Sequence, residues 1–351
     1  MAETKEKIST NHCNCPSCGG IPEFDPQKQC LICPYCNTVV NVAKNDNLEE
    51  QSVADLLANT AVWTETEVVE CANCGSREVI SKGELCTNCP FCGTTNIVKT
   101  SEIVGMKPHG ICTFQKTLSD ATEQAKTWAK KQWFTPNAFK KSVNVDNIKG
   151  IYSPSFTFDC DTTTTYEGRL GDRRTSGFGD NKKTYTHYFK ISGTFPRKFD
   201  DLLIHTSQNI PPLVMQELEP FPTSEASQFD EKLLTGYTAS TSAKDGQTVV
   251  SDFEGRSAQI IKKEILSKYH YDFVDYFHPN TIYTNRTFKH LLLPVYVGHY
   301  KYKNKNYNFY VNGCTGKVSG KTPKSGIKIL LFILSILGIA LPIILTLLDI
   351  I

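Results

Sequence analysis

The sequence lacks an apolar leader. Its first ten residues, MAETKEKIST, are polar and charged, so nothing in them directs export, and a reducing compartment is expected. A complete phosphate-binding loop is missing too. Gly316-Lys-Val-Ser-Gly320-Lys321-Thr322 has three residues between its glycines and runs into Pro323, whereas the loop needs four and must open a helix. That argues against an NTPase. No nucleophile stands at a spacing that pairs it with a base. Cys112, Cys160, Cys314, His187, His290 and His299 are isolated in the chain, and lone cysteines and histidines are more often core residues. No catalytic residue, small-molecule substrate or enzymatic activity is expected.

Cysteine, by contrast, is abundant and unevenly placed. Of 14 cysteines, 11 precede residue 93. In a reducing compartment such crowding favours thiolate metal sites over disulfides. Cys15-Pro-Ser-Cys18 is followed by Cys33-Pro-Tyr-Cys36, and Cys71-Ala-Asn-Cys74 by Cys89-Pro-Phe-Cys92, at a constant offset of 56 residues. The offset implies duplicated units. Each copy has two Cys-x2-Cys pairs separated by fourteen residues, close to the spacing of a four-thiolate zinc ribbon. Two intervening residues let a tight turn aim both sulfurs at one ion, and Gly19, Gly75 and Gly93 sit where that turn needs unusual dihedrals. Cys30 and Cys86 compete as ligands, but the pairs holding Pro and an aromatic residue suit the turn better. His12 and Cys13 read as terminal spares. The expected ligands are therefore Cys15, Cys18, Cys33 and Cys36 for one structural Zn2+ and Cys71, Cys74, Cys89 and Cys92 for a second. An iron–sulfur cluster is the less fitting occupant of a ribbon at this spacing.

From Ile329 to Leu348 no charged residue occurs, and fifteen of those twenty residues are Leu, Ile or Phe. As a helix this run would span about 30 Å, the thickness of a bilayer core. It predicts a C-terminal membrane anchor. Lys317, Lys321, Lys324 and Lys328 precede the run and only Asp349 follows it, which would hold the N-terminal part on the cytoplasmic side of the cell membrane. Between His299 and Leu348 there are seven lysines and no acidic residue, suited to anionic lipid. The first hundred residues carry 7 Lys/Arg against 13 Asp/Glu, a net of −6, leaving +8 for the remainder.

Between these ends the sequence reads as α+β. Residues 48–62 suggest a short amphipathic helix. Thr117-Leu-Ser-Asp120 resembles a capping box opening a helix to about Lys131, ended near Pro136. Residues 152–166 are rich in aromatic and β-branched types and predict a strand. A polar, glycine-rich loop is expected over 169–183, then a partner strand over 183–195. Helices are expected around 200–206, 211–218, 229–234 and 251–268, and strands in LLLPVYVGHYKY and NYNFYVN. The domains expected are ribbon 1 (1–44), a helical linker (45–66), ribbon 2 (67–100), an α+β cytoplasmic domain (101–326) and a transmembrane anchor (327–351).

With two ribbons, Tyr152-Ser-Pro-Ser-Phe156-Thr-Phe158-Asp159, Thr163-Thr-Thr-Tyr166-Glu-Gly168, Phe199-Asp-Asp-Leu-Leu203, Leu218-Glu-Pro220, Phe288-Lys-His-Leu-Leu-Leu-Pro294-Val-Tyr and Val311-Asn-Gly313-Cys-Thr-Gly316, most of the chain resembles bacterial zinc-ribbon membrane proteins. Members are often labelled primosomal-helicase-like, and some stand in envelope-stress operons beside flotillin-like (SPFH) and phage-shock-type proteins. The resemblance implies an adaptor that recruits a cytoplasmic protein, of SPFH/flotillin-like or phage-shock type, to the lipid bilayer. Nucleic-acid binding is the competing role for ribbons, but a segment of net −6 charge repels phosphate.

Overall fold

Two small strand clusters open the chain in a computed structural model, which describes residues 15–41, 48–58, 66–81, 88–95, 97–100, 106–142, 148–177, 182–242, 244–302 and 305–347. The first cluster comprises β1 (Glu23–Asp25), β2 (Cys30–Ile32) and β3 (Val39–Val40), a three-stranded antiparallel sheet. After β4 (Gln51–Ser52) and α1 (Val53–Ala58), the second holds β5 (Thr66–Cys71), β6 (Arg77–Ser81) and β7 (Ile97–Thr100). His12, Cys13, Cys86 and Asp349, each singled out in the sequence, lie outside the described residues, as does the end of the expected 48–62 helix from residue 59.

The body follows as β8 (Gly110–Ile111), α2 (Leu118–Lys131), α3 (Asn137–Ser142), β9 (Ile148–Ser176), β10 (Lys183–His205), α4 (Pro212–Leu218), β11 (Ser227–Gln228), β12 (Thr238–Ser240), α5 (Gly246–Leu266), β13 (Phe273–Tyr302), β14 (Lys305–Asn312), β15 (Val318–Gly320) and α6 (Gly326–Leu347). The capping box forms as expected: Thr117 Oγ1 accepts from Asp120 N at 3.1 Å and Asp120 Oδ2 accepts from Thr117 N at 2.9 Å. The fold is mixed α+β.

Three strands dominate it. β9, at 29 residues, is roughly 95 Å long at strand rise. It pairs antiparallel with β10 on one side and with β13 on the other. α5 packs on one face of this arm, setting Phe253, Ile261 and Ile265 against Phe158, Phe199 and Phe288. At the base, Phe114 is fully buried, its ring 4.4 Å from Tyr237, 4.7 Å from Tyr296 and 5.2 Å from Tyr152.

The arm extends where a loop was expected. β9 continues to Ser176 because Gly168 and Gly171 serve cross-strand packing rather than a turn: a Cβ on Gly171 would lie 2.2 Å from the Phe273 ring. Residues 200–205, expected as helix, belong to β10. A bulge between Phe199 and Leu202, with Asp201 at φ 50°, interrupts strand alternation there and leaves a sequence pattern that imitates a helix.

The membrane anchor expected at the C-terminus is corrected. Among the described residues no helix is long and apolar enough to cross a membrane. α6 carries the apolar run, but its beginning is committed to the body. Ser325 N donates to Phe134 O, Lys328 Nζ donates to Thr135 O and Asn137 Oδ1, and the Phe332 ring lies 5.3 Å from that of Phe134. Pro342, inside the helix, supplies no backbone donor. The tail-anchored, single-pass reading and the cell-membrane localisation fall with the anchor. The orienting role given to Lys317, Lys321, Lys324 and Lys328 falls too; Lys317 Nζ donates to Glu219 O at 2.7 Å.

Candidate metal centres

Four turns of one design present the predicted cysteines. In each, the first cysteine's carbonyl accepts from the amide four residues on, and its own amide donates to the carbonyl five residues on. Gly19, Asn37, Gly75 and Gly93 donate to Cys15, Cys33, Cys71 and Cys89 at 2.8–2.9 Å. Those four donors sit at φ 72°, 57°, 72° and 74°, the left-handed region that glycine and asparagine tolerate best. Asn37 occupies the position of Gly93 in the other copy.

The turns bring Cys15, Cys18, Cys33 and Cys36 together, and likewise Cys71, Cys74, Cys89 and Cys92. Within each group all ligand atoms lie within 4.8 Å of one another. Sγ atoms stand 3.4 Å apart for Cys15–Cys36 and Cys18–Cys33, 3.7 Å for Cys71–Cys92 and 3.6 Å for Cys74–Cys89. A disulfide needs about 2.0 Å. A tetrahedron of sulfurs at about 2.3 Å from a central ion has edges of about 3.8 Å. The donor set and separations therefore fit zinc-ribbon-like sites. Cys30 is buried in β2, apart from the first group.

Hydroxyls and an amide approach the sulfurs from outside. Thr38 Oγ1 lies 3.1 Å from Cys36 Sγ, Ser76 Oγ 3.1 Å from Cys89 Sγ, and Asn73 Nδ2 donates to Cys92 Sγ at 3.5 Å. The Asn73 amide stabilises thiolate charge on Cys92, and the two hydroxyls pack against their sulfurs and fix the ligands.

The two sites attach differently to the body. Ribbon 1 keeps its own sheet and is tied through Gln29, whose Nε2 donates to Phe114 O at 2.7 Å and whose Oε1 accepts from Thr113 Oγ1 at 2.6 Å. Ribbon 2 is spliced into the main sheet: β6 pairs with β12, and β12 pairs parallel with β9. At that seam Glu78 is buried, its Oε2 accepting from Thr238 Oγ1 at 2.6 Å. Burial pushes its carboxyl up to about 7, against the opposing pull of Thr238 and Lys149.

The other residues singled out in the sequence do not converge. Cys112 and Cys314 are buried in one apolar cluster, and Cys160 lies in another. His290 is stacked on Phe156 at 4.4 Å, and burial pushes its imidazole down to about 3, so it is neutral. His299 covers the Gly93 turn. His187 is exposed on β10. Nearby acidic residues of the arm have their own partners: Asp172 pairs with Arg174, Asp161 accepts from Asn285, and Asp159 accepts from the Asp201 amide.

Sequence reasoning missed one polar constellation. Ser155 Oγ lies 2.9 Å from His205 Nδ1, and His205 Nε2 lies 2.8 Å from Glu219 Oε1. Arg256 forks onto Glu219 with bonds of 2.9 and 2.8 Å and also donates to Leu203 O. Its members come from β9, β10, the end of α4 and α5, so no local motif announces it. Burial works to raise the Glu219 carboxyl, but the bonds from His205 and Arg256 prevail and hold it below the usual carboxylate range. With Ser155 fully buried on the central strand and both Glu219 oxygens engaged, the network fastens α5 and the α4 end to the sheet.

No protein-family model matches the chain. No solved structure matches it either. Over 330 residues, 92% of this chain and 93% of the relative, it is 26% identical to an uncharacterized protein of Bacillus subtilis (strain 168), YdjG.

Proposed function

We propose that this chain is a zinc-ribbon adaptor: two structural zinc ions rigidify an acidic N-terminal end that docks a partner protein onto the α+β body. One observation carries the reading. Both sites close with four protein sulfurs, and four-thiolate zinc has no coordination position left for water or substrate. The role is therefore architectural and non-catalytic. The net −6 of the first hundred residues favours a protein surface over nucleic acid. The partner class implied by the resemblance, an SPFH/flotillin-like or phage-shock-type protein, is the first to test.

Metal analysis of the purified chain should give two zinc ions, and one or none would overturn the paired-site assignment. A purified SPFH/flotillin-like or phage-shock-type protein from the same cells should bind the zinc-loaded chain and be lost after chelation. Equal binding by the chelated chain would sink the ribbon-docking reading. Binding of a single-stranded oligonucleotide that weakens steeply with salt would replace it with the nucleic-acid role.

A further inference from the structure

β10 is an edge strand. It pairs with β9, and among the described residues no strand pairs along its other edge. The side of each residue that faces outward follows from the hydrogen bonds. Thr206 N donates to Pro154 O across the register pair at the base of the arm, so even-numbered residues there face β9. The bulge between Phe199 and Leu202 inserts one residue into β10 and reverses the parity. Beyond it the even-numbered amides of Thr184, Thr186, Tyr188, Lys190, Ser192 and Thr194 point away from the sheet. Pro196, which has no N–H, falls on the same outward parity, where an edge strand tolerates proline.

Composition separates this edge from a merely protected one. Edge strands are blunted by charges, proline and bulges; here Pro196 and the bulge lie at the base, and along 183–195 the only fixed charges are Lys183 and Lys190. Between Lys183 and Phe195 the strand instead exposes Tyr185 and Tyr188, each about half accessible, the side-chain type enriched where proteins bind. From Lys183 to Phe199 there are four cations, Lys183, Lys190, Arg197 and Lys198, and no acidic residue; Arg197 is already paired with Glu264 at 3.2 Å, so Lys183 and Lys190 carry the charge of the edge itself.

We propose that the outer edge of β10 over residues 183–195 accepts an extended, acidic segment of a partner protein as an added antiparallel or parallel strand. Main-chain pairing supplies the affinity, the exposed tyrosines grip alternate side chains, and the lysines select acidic sequence. The proposal is independent of ribbon docking, since the arm and the ribbons are different surfaces.

The test uses the full zinc-loaded chain and two fluorescent peptides of about ten residues, one alternating Glu and Val and the other Lys and Val. The Glu-Val peptide should bind and slow hydrogen exchange at the even-numbered amides from Thr184 to Thr194. Lys190→Pro, which removes an outward donor as Pro196 already does, should weaken binding by about tenfold or more. Lys190→Glu, which leaves the backbone unchanged, should weaken it while keeping the fold, as checked by circular dichroism. Equal affinity for both peptides, binding without protection of those amides, or binding indifferent to both variants would each overturn the proposal. Concentration-dependent self-association abolished by Lys190→Pro, with no peptide binding, would give the edge to a second copy of the chain instead.

Discussion

Substituting Glu78 by Gln tests the seam between ribbon 2 and the body. Glu78 is 3% exposed, and its carboxyl is pushed up from 4.5 to about 7 by burial. A raised carboxyl favours the folded state while protonated. Its contribution is fully present below pH 4.5 and is lost as pH rises to about 7, where the folded chain must hold a buried carboxylate. A shift of this size corresponds to about 3 kcal/mol, of which roughly 2–3 kcal/mol falls between pH 5 and 8. In Glu78→Gln the amide oxygen still accepts from Thr238, and the new NH2 carries a cost that does not vary with pH. The variant should therefore gain on the wild type steadily from pH 5 to 7 and hold its gain above. Urea unfolding of both zinc-loaded chains at four pH values measures this, and protonation of the zinc thiolates cancels in the difference. Parallel profiles would refute the argument that this carboxyl is charged inside the seam.

Substitutions at four further positions probe other joints. Gly75→Ala and Gly93→Ala both force alanine to a φ near 73°, costing about 1 kcal/mol, but a Cβ on Gly93 would also lie 2.5 Å from His299 Nε2 while Gly75 faces open space; thermal melts and zinc retention should show the larger loss at Gly93. Phe114→Ala empties the centre of an aromatic cluster and should cost about 3–5 kcal/mol in urea unfolding. Arg256→Met leaves Glu219 with His205 alone and should cost about 2–3 kcal/mol, the side chains being about one-fifth exposed; Arg256→Lys should recover only part of this, because lysine cannot fork.

What the sequence revealed depends on whether the deciding contacts are local. The cysteine turns are local: spacing, the following glycine and the 56-residue offset prescribe each sulfur pair, and the sulfurs meet as the spacing requires. The Thr117–Asp120 cap is local in the same way. The arm is not. Its glycines resemble loop signals until Phe273, a hundred residues away in sequence, is seen lying over Gly171. The Ser155–His205–Glu219–Arg256 network needs four elements in register before any pair of its members is adjacent. The C-terminal run misled for a related reason: its composition describes the helix alone, while the fold attaches the first turn to Phe134, Thr135 and Asn137.

Duplication of the cysteine motif has not produced equivalent sites. In the first, Cys18 and Cys36 are exposed, and the ribbon keeps a separate sheet tied to the body by Gln29 and by Phe24 and Leu31 in the shared core. Losing its metal would slacken a peripheral module. In the second, Cys71 and Cys89 belong to the apolar cluster that contains Leu291, Val295 and Tyr310 of the main sheet. The same ribbon hands β6 on to β12 and so to β9, the axis of the arm. A metal ion at this site would therefore hold the register of the large sheet, whereas one in the first ribbon would brace a module that could change shape without unsettling the body. If an adaptor evolves a docking face by duplicating a ribbon, this is the division of labour that packing imposes: one copy is absorbed into the fold, and the other remains at the surface.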